Sequence, residues 1–366
     1  MKILIVIDSL GSGGAQKLAV NLASGFIKKN HEIHLFKYDD SAIFFEPEMD
    51  ELGVKIFKPN QFSKNKIFKP LYIVKSIRQI IKLNKYDGII SFLHVPSFYS
   101  SLAKIGIKNS KLIVCELSSS NAPVKLIIKT AFYISCILSD LVVANSKNEA
   151  KKIRSRFLLS NKTYSIYNGL KIDKYHNNLI HKKKKRNILI LARVAYPKNG
   201  YNLVKGLLLF YNKNGWAPKI SWYGRFENDT KSLLMQEQIK NLLDKNQILE
   251  NYIEFKGETK NVKTLFSSYE ALILPSIYEG LPLVICESMI HKCLVLASNV
   301  CDHPDILSDN RGILFNPYNP ESISNALEKL FNLKEKQKET MINKSYEFAM
   351  DNFSLQKMTN SFENLI

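Results

Sequence analysis

The chain is 366 residues long, 45 % apolar and 23 % charged, which allows two domains with cores of their own and excludes wholesale disorder. Its formal net charge is +19, a balance that favours polyanionic partners such as nucleic acid, anionic lipid headgroups or phosphorylated substrates, without choosing among them. The five cysteines, Cys115, Cys136, Cys286, Cys293 and Cys301, show neither a C-x-x-C pair nor zinc spacing, which argues against a disulfide framework and reads as free thiols in a reducing compartment.

Residues 3–7 form an apolar run too short for a signal peptide, and residues 2–7 read as a buried strand. Residues 16–30 follow as an amphipathic helix with Leu18, Leu22 and Phe26 on one face. Further strands are expected at residues 32–36, 88–92, 111–115 and 141–144. The apolar stretch 124–144 carries Lys125, Lys129 and Asp140 and makes a poor membrane span, so the protein is expected to be cytoplasmic, soluble or peripherally bound. At residues 181–186 (HKKKKR) the pattern breaks into a charge run that reads as a solvated hinge. Alternation then resumes, with strands at 187–192, 219–223, 253–256, 271–275 and 294–297 and a helix at 202–212. A late helix over 320–330 has Asn319 as its N-cap and Pro320 in its first position. Strands alternating with helices imply parallel β-α-β units, hence an α/β protein of two Rossmann-like domains, residues 1–180 and 181–350, facing each other across a cleft. Ligands in such sheets bind at the carboxyl ends of the strands.

The sharpest chemical feature is the segment from Ser276 to Ser288, just after the expected strand 271–275. Glu279 and Glu287 stand either side of seven residues, so a loop carboxylate and a helix carboxylate can address one cleft. Between them Gly280 lets backbone approach a ligand closely, and the open N–H groups of the following helix suit a phosphate or a polar sugar edge. Ionised carboxylates only accept hydrogen bonds, which suits vicinal hydroxyls. The plainer reading, a residue near a helix cap and a surface glutamate, would stand if the spacing were alone.

The spacing is not alone. Residues 275–289, PSIYEGLPLVICESM, resemble the "PS..EG.P....E.M" signature of the family 4 retaining glycosyltransferases of GT-B fold. The resemblance implies that Glu279 faces the donor sugar and Glu287 the ribose hydroxyls. It also implies that backbone amides around Leu281, Pro282, Leu283 and Val284 meet the sugar and diphosphate. Arg193 and Lys198, in LARVAYPKN, keep the spacing of the family's "GR....KG", whose two cations clamp the donor diphosphate, while Ala192 and Asn199 stand where the family has glycine. Cations there would neutralise the charge that grows on a departing nucleotide. The turn Gly13-Gly14-Ala15-Gln16 matches the family's "GGA" loop, with Gln16 for the commoner Glu, and His94 lies where the family often has a histidine contacting the donor sugar. The plainer readings are an ordinary glycine turn and a satisfied loop histidine. Asn168-Gly169, with Asp173 and Tyr175, matches "NG.D...F" and reads as structural. Gly224 and Arg225 resemble the loop near the nucleotide base, and residues 301–305 (CDHPD) replace "GG.PE" without its glycines. The resemblance spans essentially the whole chain and is densest over 187–319, with residues 351–366 fitting the family's last helix, which returns to the first domain. No metal and no cofactor beyond the nucleotide-sugar donor are implied; UDP is the expected nucleotide, GDP the alternative.

From Lys55 to Lys85 there are nine Lys and Arg and no acid, interleaved with Ile56, Phe57, Phe62, Ile67, Phe68, Leu71, Ile73, Val74, Ile77, Ile80 and Ile81. Such a segment can lie on anionic lipid, as a lipid-linked or glycan acceptor at the inner face of the cytoplasmic membrane would require, or can be a core-facing helix with a solvated Lys-rich side. Two rival readings stand beside it. A UDP-sugar epimerase of the same fold would need its acids and histidines in another motif context. A nucleic-acid-binding protein is suggested by charge alone, with no zinc finger, RNP aromatic or helix-turn-helix pattern beside it. The Glu279–Glu287 segment favours a glycosyltransferase of cell-surface polysaccharide (O-antigen or capsule) assembly, with no nucleic-acid partner.

Overall fold

The computed structural model describes residues 1–59, 68–117, 124–171, 184–259 and 261–366. The chain divides into two compact units, Met1–Lys171 together with Asn352–Ile366, and Ile172–Asp351. In the first unit the elements run β1 (Lys2–Val6), α1 (Gly14–Ile27), β2 (Glu32–Phe36), α2 (Glu46–Glu51), β3 (Lys55–Phe57), α3 (Lys69–Asn84), β4 (Gly88–Phe92), α4 (His94–Lys104), β5 (Lys111–Glu116), α5 (Leu126–Leu138), β6 (Leu141–Ala144), α6 (Lys147–Arg154) and β7 (Thr163–Ser165). The second unit has β8 (Lys184–Leu191), α7 (Gly200–Asn214), β9 (Lys219–Tyr223), α8 (Thr230–Lys245), β10 (Ile253–Gly257), α9 (Val262–Ser268), β11 (Tyr269–Leu274), α10 (Leu283–Ile290), β12 (Leu294–Ser298), α11 (His303–Leu307), β13 (Ile313–Phe315) and α12 (Pro320–Asn332). The end of α13 (Glu335–Phe353) and all of α14 (Leu355–Glu363) belong to the first unit.

Both sheets are parallel throughout, ordered β3-β2-β1-β4-β5-β6-β7 and β10-β9-β8-β11-β12-β13. Parallel strands need crossover helices, and helices on both faces leave a central strand no wet side. β1 shows the consequence: Ile3 and Ile5 enter one buried cluster with α1 and α14, while Leu4 and Val6 enter another with α3 and α5. Strand order reverses between β1 and β4 and again between β8 and β11, and at each reversal the crossovers diverge and leave a crevice at the carboxyl ends.

One expectation changes. The charge run at 181–186 is not a hinge throughout: Lys184 to Arg186 open β8, and residues 181–183 lie outside the described residues. Pairing pulls them in. Tyr269 is the β11 partner of Lys184, the Arg186 N–H donates to Glu270 Oε2 at 2.7 Å, and the Arg186 guanidinium lies 4.0 Å from the Trp216 ring centroid. The apolar residues of the basic segment divide, with Phe68 and Leu71 half-exposed and an isoleucine stripe turned inward. Ile73, Ile77 and Ile81, four residues apart on α3, are buried in the core, and Arg78 donates to the carbonyls of Ala103 and Ile105 at 2.8 and 2.7 Å. Phe62 and Ile67 of that segment, like Asp173 and Tyr175, lie outside the described residues.

The last helix is fastened to α1 by shape and charge. Thr359 and Leu355 fill the space above Gly25, Lys29 pairs with Glu363, and His31 Nε2 meets Glu363 Oε1 at 2.7 Å. Gly169 completes the seam, its carbonyl accepting from Asn21 Nδ2 at 3.1 Å. A Cβ at position 169 would stand 2.8 Å from the Leu355 Cα, where backbone must move. Gly169→Ala is therefore expected to destabilise the first unit by about 1–3 kcal/mol. A thermal midpoint equal to that of the parent would refute this reading of the seam.

Candidate active site

The reversal between β8 and β11 delivers two loops, residues 192–199 and 275–282, to one place in the second unit. A main-chain bond from Ile277 N–H to the Pro197 carbonyl (2.9 Å) ties them. Across the tie Lys198 Nζ makes an ion pair and hydrogen bond with Glu279 Oε1, and Ser276 Oγ donates to the same oxygen at 2.7 Å. Both charged side chains are largely buried, at 16 % and 14 % exposure. Burial by itself would push the Glu279 carboxyl up. The Lys198 charge and hydrogen bond, the Ser276 hydroxyl and the field of His303 outweigh it and hold that carboxyl below its ordinary value.

The loop after β12 grips the same glutamate from behind. Cys301 Sγ donates to the Glu279 carbonyl at 2.7 Å and receives its N–H at 3.2 Å, with the Cys301 backbone left-handed at φ 52°. The fully buried His303 sends Nδ1 to the Ser298 carbonyl at 2.7 Å. A carbonyl only accepts, so that nitrogen carries the proton, and burial, the largest influence, lowers the ring's pKa.

The positions that depart from glycine are accounted for locally. Asn199 adopts φ 55°, a region asparagine tolerates, and its buried amide donates to the carbonyls of Pro275 and Pro317 at 3.1 and 2.7 Å, a clasp glycine could not make. Ala192 sits at an ordinary negative φ, its carbonyl accepting from Trp222 Nε1 at 2.7 Å. Opposite it Gly224 has φ 154° and passes so close that a Cβ would lie 2.0 Å from the Ala192 carbonyl oxygen; only glycine fits.

Arg193 and Arg225, from the ends of β8 and β9, converge on one carboxylate: Glu227 Oε1 is 3.1 Å from Arg193 and accepts from Arg225 Nε at 2.9 Å. The Arg225 and then the Arg193 hydrogen bonds hold the Glu227 carboxyl below its usual range. Beside them the Tyr278 phenol is pushed up, by burial first and then by the fields of Tyr196, Asp229 and Glu279, with Arg193 opposing.

After Glu279 the chain passes Gly280, Leu281 and Pro282 into α10. Pro282 caps that helix without a side-chain bond, so the amides of Leu283 and Val284 face outward from its first turn. Glu287, five residues into α10, is half-buried.

In the first unit the corresponding crevice lies between β1 and β4. Gly13 caps α1 in an extended conformation with no side-chain bond, and it and Gly14 are exposed, while Gln16 turns back to Asp8 Oδ1 at 3.1 Å. His94 opens α4, its Nε2 2.9 Å from Glu116 Oε2 at the end of β5 and its ring 4.4 Å from that of Phe132. A carboxylate oxygen accepts, so the His94 Nε2–H donates to it. The preceding residue, Leu93, has φ 72° and ψ 158°, a region nearly exclusive to glycine, so the turn that presents His94 is strained.

The structure thus gathers Arg193, Lys198, Gly224, Arg225, Glu279 and the start of α10 within the second unit. It sets Gly13, Gly14 and His94 at the strand ends of the first. Sequence reasoning missed Glu227, Glu116 and the contacts that Ser276 and Cys301 make with Glu279. Glu116 alone left a trace, an acid closing the apolar strand KLIVCE.

The Lys198–Glu279 pair makes a signed expectation. A lowered Glu279 pKa contributes stability above the ordinary carboxylate range, lost as pH falls through the lowered value. In Lys198→Met burial would be uncompensated and the folded pKa raised, so stability would be lost as pH rises instead. The variant is expected to be destabilised near neutral pH by on the order of 2 kcal/mol and much less at about pH 4.5. A deficit independent of pH, read from thermal midpoints across that range, would refute the pairing.

Comparison with known proteins gives the family. The family model described as Glycosyl transferases group 1 matches residues 171–348, and that described as Glycosyltransferase Family 4 matches residues 12–174. The Campylobacter jejuni GalNAc-alpha-(1->4)-GalNAc-alpha-(1->3)-diNAcBac-PP-undecaprenol alpha-1,4-N-acetyl-D-galactosaminyltransferase is 25 % identical over 358 residues, 94 % of this chain and 92 % of that one. A crystal structure of a glycosyltransferase from Rickettsia africae superposes with a TM-score of 0.81 at 21 % identity, covering 100 % of this chain and 97 % of the other. Anabaena Alr3699/HepE in complex with UDP does so at 0.81 and 16 %, covering 100 % and 99 %. The two family matches together run from residue 12 to residue 348, and the chain belongs to the family 4 glycosyltransferases of GT-B fold.

Proposed function

We propose that this glycosyltransferase moves a sugar from a nucleotide diphosphate donor, a UDP-sugar in the first instance, to a lipid-linked or polysaccharide acceptor in cell-surface glycan assembly, with retention of anomeric configuration. The observation that carries the reading is the cation cluster at the β8–β11 crevice. Lys198 is held on Glu279 and Arg193 on Glu227, at the carboxyl ends of parallel strands and beside the open first turn of α10. The family match leaves no footing for the epimerase or nucleic-acid readings.

In this reading the donor diphosphate lies across Arg193, Lys198 and the amides of Leu283 and Val284. Glu287 takes the ribose hydroxyls, Glu279 the sugar, and Gly224 and Arg225 border the base. Gly13 and Gly14 serve the phosphates or the acceptor, and His94 the sugar. The bond from the anomeric carbon to the β-phosphate oxygen breaks with its electron pair leaving on that oxygen, which the two cations stabilise. The acceptor oxygen bonds to the anomeric carbon from the same face, and its proton passes to the departing phosphate. No bound metal is required by this scheme. UDP is supported by the nucleotide in the Anabaena complex, and a lipid-linked acceptor by the PP-undecaprenol glycan in the name of the Campylobacter relative. Such an acceptor would put the enzyme at the inner face of the cytoplasmic membrane as a peripheral protein.

Arg193 is 54 % exposed, so its removal should leave folding intact. Arg193→Ala is expected to lower sugar transfer by about 10²–10³-fold at an unchanged thermal midpoint, the usual effect of losing one group that stabilises transition-state charge. Near-parental turnover would overturn the assignment, and an inverted anomeric proton coupling in the product would overturn retention.

A further inference from the structure

Helix α5 is apolar on both faces. Phe132 and Cys136 point into the first unit's core, whereas Leu126 and Ile127 are 79 % and 76 % exposed and Ile134 and Leu138 are 40 % and 42 % exposed. Ile127, Ile134 and Leu138 follow at intervals of seven and four, which aligns them in one outward stripe. The loop after α6 extends it with Phe157 and Leu158, 76 % and 60 % exposed. That loop is fixed to α5, since Tyr133 Oη donates to the Phe157 carbonyl at 3.1 Å and the Arg156 guanidinium lies 5.9 Å from the Tyr133 ring. Lys162 Nζ ties the segment after the loop to the end of α5, donating to the carbonyls of Ile137 and Ser139, each at 2.8 Å. Single exposed aliphatic side chains are ordinary; a stripe continued by a second segment marks a surface that something covers.

The charges around the stripe say what covers it. Residues 124–171 contain nine Lys and Arg and two acids, Asp140 and Glu149. Asp140 is held by Lys104 at 2.7 Å and by the Leu112 N–H, and Glu149 is buried against Lys152. Lys125, Lys129, Lys151, Arg154 and Arg156 are exposed. A second copy of the chain would oppose this face with the same cations, and like charges repel. Among the described residues no helix is long and apolar enough to cross a membrane, so the helix cannot act as a span.

We propose that the α5 crest is a monotopic docking surface for an anionic lipid bilayer. Leu126, Ile127, Ile134 and Phe157 enter the boundary between headgroups and acyl chains, while Lys125, Lys129 and Arg156 meet lipid phosphates. The surface rests on the peripheral-membrane part of the proposed function and gives it a place on α5 and the loop beside it, where Leu126, Ile127 and Phe157 are each more than three-quarters exposed. It is independent of the donor site.

The test is flotation of the full chain with vesicles of phosphatidylcholine alone or with about one third phosphatidylglycerol, at low and high salt. UDP binding and size-exclusion light scattering are measured on the same samples. The parent should float with the anionic vesicles only and less well at high salt. Lys125→Gln and Lys129→Gln should each weaken partitioning about fivefold. Ile127→Glu with Ile134→Glu should abolish it without changing UDP binding or the thermal midpoint. Flotation of that double variant at the parental level, or no flotation of the parent, would overturn the proposal. So would a parental dimer that the double variant turns into monomer, which would assign the face to a second copy. Loss of UDP binding with flotation intact would count against the donor-site reading and leave this one standing.

Discussion

A carboxylate that folding carries to the end of β11 and then buries needs a compensating charge, and Lys198 supplies it. Around that pair the second unit's crevice is organised. Ser276 shares the carboxylate oxygen, Cys301 holds the Glu279 main chain from behind, and the Pro197–Ile277 bond keeps the two contributing loops in register. Asn199 then turns the chain from Lys198 into α7 and uses its amide to hold the loop against Pro275 and Pro317. A buried pair of this kind is weak evidence for net stability, because desolvation opposes the Coulombic gain. Its value here is positional, since it holds an ammonium and a carboxylate in a fixed place before any ligand arrives.

Arg193 and Arg225 share Glu227 in a more solvated arrangement, their side chains 54 % and 59 % exposed. Cations fixed in advance do not have to be reorganised as charge grows on a leaving group, which is why preorganised electrostatics usually contributes more than any other single effect in such sites. The first unit repeats the device with opposite partners, Glu116 fixing His94 at a turn strained at Leu93.

The strands were legible because parallel strands covered on both faces read as unbroken aliphatic runs, as in KILIV and LVLAS. The Asn319 cap of α12 was legible too, its side chain accepting from the Glu321 N–H at 2.9 Å. Short edge strands such as β3 and β13, three residues each, carry too little pattern to be seen. The basic start of β8 misled because local charge says nothing of a pairing partner 85 residues away, as Lys184 with Tyr269 shows. The α3 segment was open for a related reason, since an isoleucine stripe reads alike whether it faces lipid or a sheet, and here Ile73, Ile77 and Ile81 face the core. Motif spacing made Lys198 and Glu279 visible as separate candidates. That they touch could not be read from spacing, nor could the role of Glu227, which depends on β8 and β9 being neighbours in the sheet.

In the proposed function the second unit binds a nucleotide diphosphate through this cluster and Glu287. The most direct test of that binding is a metal-free calorimetric titration with UDP, GDP, ADP and a panel of their sugars, repeated on Glu287→Ala. Tight binding of one nucleotide by the parent, lost in the variant, is the expected result and would name the donor class. A well-folded parent that binds none of them would contradict the donor site and leave only the fold.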